Sequence, residues 1–173
     1  MSADELVDIV DEHDRVVAQA TRRDVRLQNL RHRGVYVLVF NTHGQLFVHR
    51  RTSTKDVFPD HWDLAVGGVL KAGEDYESGA RRELCEELGV GADIQLRRLF
   101  PIRYADADNQ VVGVVFSCTC AGPFRLQAAE IAEGAWMDLD AVLERTQRER
   151  FCPDSLEALR LYLSKLEEVR TRT

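Results

Sequence analysis

The chain lacks a Cys-x-x-Cys pair, a long apolar run, an internal repeat and any Pro-, Gly- or Ser-rich linker. Each absence removes a class of protein. The four cysteines, Cys85, Cys118, Cys120 and Cys152, have no spacing suited to a zinc site or a dithiol redox motif, and read as small buried thiols. The longest apolar runs, residues 35–40 and 111–118, are strand length, which argues against a membrane protein. The start, Met-Ser-Ala-Asp-Glu, has neither a basic nor an apolar leader region, so a cytoplasmic protein is expected. Positive charge is also short: 23 Lys+Arg face 29 Asp+Glu, a formal −6. A nucleic-acid polymer is therefore a poor partner. What remains is an ordinary globular composition, with 45% hydrophobic and 30% charged residues in 173. That length suits one domain able to bury a core without disulfides.

Periodicity predicts a mixed set of elements. Leu6–Val10 and residues 16–20 read as a hairpin, followed by a short helix from Thr21 to about Leu30. Strands are predicted over residues 35–40, 45–50, 62–68, 94–104 and 111–120, and over Ile131–Met137. A helix is predicted over residues 75–88, where Ala80, Leu84 and Leu88 recur at four-residue spacing and Gly89 supplies the stop. A short helix follows Asp138, and a last one spans residues 154–169. Strands and helices alternate without regular βαβ units, which favours a layered α/β fold with a mixed sheet.

The chemistry-bearing feature is acidic. Glu83, Glu86 and Glu87 sit at i, i+3 and i+4, on one face of the predicted helix. Like charges at that spacing destabilise a bare helix by a few tenths of a kcal/mol per pair. A divalent cation would remove that cost, and carboxylates and carbonyls suit hard ions such as Mg²⁺ or Mn²⁺. Three glutamates alone would favour a solvated acidic face. Their neighbourhood differs: Gly67-Gly68 ends a predicted strand, and a glycine carbonyl can approach a metal with no Cβ in the way. Residues 68–90 hold six acidic and three basic side chains, half of the whole chain's acidic excess.

Within that segment, Gly68, Glu74, Arg82, Glu83, Leu84, Glu86, Glu87, Gly89 and Val90 fill every fixed position of the pattern G-x5-E-x7-R-E-U-x-E-E-x-G-U, where U is aliphatic. The segment resembles the Nudix box. Seven identities at about one in twenty each arise by chance on the order of 10⁻⁹ per start position. The resemblance implies the Nudix fold, a mixed β-sheet sandwiched between α-helices. It implies one domain over residues 1–173, with an N-terminal hairpin extension at about 5–20 and a C-terminal helix at about 154–169. It also implies a Mg²⁺- or Mn²⁺-dependent hydrolase that cleaves a diphosphate linkage by water attack on phosphorus. By position, Glu83, Glu86 and Glu87 would be metal ligands with the Gly68 carbonyl, and Arg82 would pair with Glu74 to orient the loop. Glu130 and Glu133 are secondary candidates for the base.

The likeness extends past the box. Residues 6–11, Leu30-Arg31-His32-Arg33, Arg50-Arg51, Lys55, Phe58-Pro59 and Trp62 are similar to type I isopentenyl-diphosphate isomerase. That enzyme needs a cysteine, several histidines and a Glu-x-Glu. Here the cysteine position is Gly67, histidine positions hold Val69 and a residue near Val25, and Asn109-Gln110-Val111 stands for the acidic pair. Only His32 remains. With no evident proton donor and acceptor pair, hydrolysis is the better reading. The overall pattern is most similar to the YfcD-like Nudix hydrolases of bacteria. An isomerase and a non-catalytic nucleotide-binding module are the alternatives.

Arg51 and Lys55 match diphosphate-binding positions, and a cationic pair after a strand is a sensible phosphate clamp in its own right. Arg103 and Tyr104 could add a phosphate contact and an aromatic surface. The resemblance implies a small-molecule diphosphate as the partner. Nucleoside triphosphates, nucleotide sugars, dinucleotides and prenyl diphosphates all stay open, as does a homodimer docked along the N-terminal hairpin.

Overall fold

The computed structural model describes residues 2–91 and 93–171. Its order is β1 (Leu6–Val10), β2 (Val16–Thr21), α1 (Arg22–Leu27), β3 (His32–Phe40), β4 (Leu46–Arg51), β5 (Trp62–Asp63), β6 (Val66–Val69), α2 (Tyr76–Leu88), β7 (Arg97–Ala105), β8 (Gln110–Thr119), β9 (Ile131–Met137), α3 (Leu139–Thr146) and α4 (Pro153–Arg170). The organising strand is β3. It pairs antiparallel with β6 and parallel with β8, which carries β7 antiparallel on its far side. β4 pairs with β5 and, along nearly its whole length, with β9. The hairpin β1–β2 joins the sheet through Ile9 opposite His32. The sheet is thus mixed, as the irregular alternation of elements predicts.

Side chains of β3 alternate between two cores, as a strand buried on both faces requires. Val35, Val37 and Val39 pack with Ala80, Leu84 and Leu88 of α2. Tyr36 and Leu38 pack with Trp62, Phe100 and Leu159, under α4. Ala80, Leu84 and Leu88 are fully buried, so the predicted stripe is the docking face of α2. Each buried leucine contributes roughly 1.5–3 kcal/mol. The ends of α2 are equally explicit. The Asp75 carboxylate accepts from the N–H groups of Glu77 and Ser78, a cap worth about 1 kcal/mol, and Gly89 takes the left-handed conformation at φ 68°.

Two expected strands are corrected. The segment 62–68 forms two short strands with different partners. Between them Asp63 accepts from the Ala65 N–H and the Ser155 hydroxyl accepts from the Leu64 N–H, so the chain turns from β4 towards β3. The strand expected from residue 94 starts only at Arg97, because ladder pairing begins at Arg97 opposite Ser117. The helix expected to reach about Leu30 ends at Leu27, and Asn29 takes a positive φ of 47°. Among the described residues no helix is long and apolar enough to cross a membrane.

Candidate active site

The loop before α2 is held by ionic geometry. The Arg82 guanidinium grips Glu74 with two bonds of 2.8 Å, from Nε and Nη2, and Nη2 also donates to the Val69 carbonyl at 3.3 Å. Glu74 accepts in turn from the Lys71 N–H. The fork ties loop, helix and the end of β6 into one unit, the pairing expected of Glu74 and Arg82. Its Nη1 reaches further, to Glu83 Oε1 at 2.7 Å and Glu86 Oε2 at 3.5 Å.

That unit points two carboxylates into the interior. Glu83 and Glu87 are 7% and 5% exposed, whereas Glu86 lies at the surface. Glu87 Oε2 is buried with no hydrogen-bond partner. Burial, and then the neighbouring Glu83, push the Glu87 carboxyl up from 4.5 to about 8. Burial also raises Glu83, against the pull of Arg82. Gly68 abuts Glu83 so closely that a Cβ there would lie 2.7 Å from Glu83 Oε1. An added Cβ at Gly68 would push the end of the Glu83 side chain from its present place.

Cations face the acids across one cavity. Gly68, Glu83, Glu86, Glu87, Glu130, Arg51 and Lys55 all line it. Arg51 is locked in place: Nε and Nη2 donate to the Val57 carbonyl at 3.2 and 2.9 Å, and Nη1 lies 3.5 Å from Asp63. Lys55 pairs with Glu130, and burial, then Arg51, lowers its pKa. A desolvated ammonium beside a guanidinium is a strong attractor for phosphate oxygens.

Three expected residues stand elsewhere. Glu133 is exposed on β9 and bound to Arg50 Nε at 2.7 Å, outside the cavity lining. Arg103 is exposed on β7, and Tyr104 donates to Asp106; neither lines the cavity. Sequence reading missed Arg22 and Arg26 of α1, Tyr36, Asp56, Asp63, Asn109 and Asp154, all of which do. For Arg22 and Arg26 the only signal was their four-residue spacing. His32 also lines the cavity. Its Nδ1 faces the Leu30 carbonyl at 2.8 Å, and burial, then Arg26, lowers its pKa to about 4, so the ring is neutral near pH 7.

The isomerase reading meets a backbone obstacle. A Cβ at Gly67 would lie 2.0 Å from the Val35 carbonyl oxygen, in the β3–β6 pairing. The position at which that chemistry needs a thiol accepts no side chain.

Comparison with known proteins agrees on one family. The sequence profile described as NUDIX domain matches residues 30–161. An uncharacterized Nudix hydrolase of Pseudomonas aeruginosa is 44% identical over 159 residues, covering 92% of this chain and 94% of that protein. The uncharacterized Nudix hydrolase YfcD of Escherichia coli is 40% identical over 176 residues, covering 100% and 96%. A crystallised protein of Deinococcus radiodurans superposes with a TM-score of 0.79 at 31% identity, over 90% of this chain and 98% of its own. The NUDIX domain of Shewanella oneidensis NrtR, crystallised with ADP ribose, shares the fold at a TM-score of 0.61 and 20% identity, over 77% and 86%.

Proposed function

Because the chain belongs to the Nudix hydrolase family, we propose that it is a divalent-metal-dependent diphosphohydrolase acting on a small organic diphosphate. One observation carries the reading: the complete 68–90 motif folds so that buried Glu83 and Glu87 share a cavity with Arg51 and Lys55.

The donor set fits a hard cation in kind. Glu87 Oε2 is an orphaned buried oxygen, and the gap at Gly68 is one that a Cβ would fill. Among the described residues no three His, Cys, Asp or Glu side chains already converge as a metal cage, and the Arg82 guanidinium sits on Glu83 Oε1. Glu83 must therefore share or release that contact. Held by Glu83, Glu86, Glu87 and the Gly68 carbonyl, Mg²⁺ or Mn²⁺ would supply positive charge against the phosphates and acidify water.

The protein's own groups do the rest. Arg51 is anchored by Val57 and Asp63, so it orients phosphate oxygens at little entropic cost. Lys55 can exchange its Glu130 partner for a phosphate oxygen, which leaves Glu130 free beside the substrate. Water adds to phosphorus, the bridging P–O bond breaks towards the leaving phosphate, and the water proton passes to a cavity carboxylate, Glu83, Glu87 or Glu130. Arg82 and Glu74 act by positioning.

A panel of nucleoside, sugar, dinucleotide and prenyl diphosphates with Mg²⁺, Mn²⁺ or chelator tests this. Cleavage of the anhydride that stops in chelator is expected. Binding without turnover across the panel would indicate a nucleotide-sensing module instead.

A further inference from the structure

The NUDIX profile begins at residue 30, yet the cavity is closed partly by residues before it. The hairpin β1–β2 and the capped turn at Thr21 deliver α1 to the cavity rim, with Arg22 and Arg26 on the lining. Arg26 Nη1 donates to Asn109 Oδ1 at 3.0 Å. Asn109 Nδ2 donates to Asp154 Oδ2 at 3.2 Å, and the Tyr36 hydroxyl donates to the same oxygen at 3.1 Å. The chain of bonds thus joins α1, the turn before β8, β3 and the first turn of α4. It crosses 83 residues of sequence between Arg26 and Asn109 alone.

This relay keeps unused capacity. Arg26 Nε is buried with no hydrogen-bond partner; the nearest charge, Asp56 Oδ2, lies 3.6 Å away and is already taken by Arg22 at 2.7 Å. Asp154 Oδ1 accepts from the Ser155 N–H at 3.0 Å and has a second lone pair. Burial, then Asp63, raises the Asp154 carboxyl to about 6, so it is largely ionised near pH 7 and attracts donors. One spare donor and one spare acceptor therefore stand in the same cavity as Arg51 and Lys55. An alkyl chain pressed against them would leave Arg26 Nε unpaired and bury the spare Asp154 acceptor, at roughly 1–3 kcal/mol for the acceptor. A hydroxyl or amide would satisfy them.

We propose that Arg26, Asn109 and Asp154 form a specificity element, completed by the segment before the family domain, that selects diphosphates whose organic group carries hydroxyl or amide functions over alkyl diphosphates. The proposal rests on the diphosphohydrolase reading for its substrate, but its selectivity can be read from binding alone. Three probes separate the sources of that chemistry: cytidine diphosphate offers a base and a sugar, ribose 5-diphosphate a sugar only, and isopentenyl diphosphate neither.

Dissociation constants by calorimetry and, where turnover occurs, kcat/KM are measured for the wild type, Asn109→Ala, Asp154→Asn and Arg26→Gln. Thermal melting of each variant checks the fold, and the two milder substitutions, Asp154→Asn and Arg26→Gln, keep hydrogen-bonding groups in place should Asn109→Ala fail to fold. Expected is a wild-type preference of about 10²-fold or more for at least one polar probe over isopentenyl diphosphate, reduced at least about tenfold in folded variants. A wild type with equal affinity for all three, or folded variants that keep the full preference, would overturn the element. Preference in binding with no cleavage of any probe would remove the hydrolase reading and leave the element standing.

Discussion

Glu87→Gln is expected to lower turnover of the best diphosphate substrate by about 10³-fold without unfolding the protein. Glutamine preserves the side-chain volume but removes the ionisable carboxyl that shares the cavity with Lys55 and Arg51. The stability effect has the opposite sign. In chelator, the raised Glu87 carboxyl favours the fold most below its unfolded value of 4.5, and that contribution is lost as the pH rises through about 8. Wild-type stability should therefore fall relative to the variant across this window, as read by urea unfolding at its two ends. Glu133→Gln, at the exposed Arg50 pair, serves as the contrast and should change turnover by less than about twofold. Equal activity of wild type and Glu87→Gln would make Glu87 a spectator.

Gly67→Ala should destabilise the fold by about 3 kcal/mol or more. The obstacle is backbone, not a side chain that can rotate away: the added carbon would meet the Val35 carbonyl at 2.0 Å. Relief requires parting β3 from β6, the pairing that also places Gly68 against Glu83. Gly44→Ala offers the comparison. It sits at φ 79° with nothing within 4 Å of the added carbon, so its cost is conformational and about 1 kcal/mol. Denaturant midpoints of the two variants give the difference. A Gly67→Ala protein as stable as Gly44→Ala would mean that the strands are not so closely paired.

The acidic half of the site was legible because it is local. Glu83, Glu86 and Glu87 share one helix, its caps Asp75 and Gly89 lie next to it, and the Glu74–Arg82 pair spans only eight residues. Periodicity places them, although it does not tell that Glu86 stays at the surface while Glu83 and Glu87 are buried. The other half is assembled by long-range contacts. Tyr36 meets Asp154 across 118 residues, and no short pattern encodes that meeting. Arg103 and Tyr104 looked suitable by residue type, but β7 lies beyond β8 and neither side chain lines the cavity. The break between β5 and β6 was hidden for a similar reason, since it depends on the Ser155 hydroxyl 91 residues away.

The most direct test is the fate of isotopically labelled water oxygen during turnover with Mg²⁺ or Mn²⁺, followed by phosphorus NMR of the products. Water attack on phosphorus places the label on one phosphate product, in the presence of the cation only and at a rate that collapses in Glu87→Gln. Products without label on phosphorus, or an intact diphosphate with a migrated double bond, would contradict hydrolysis at this site.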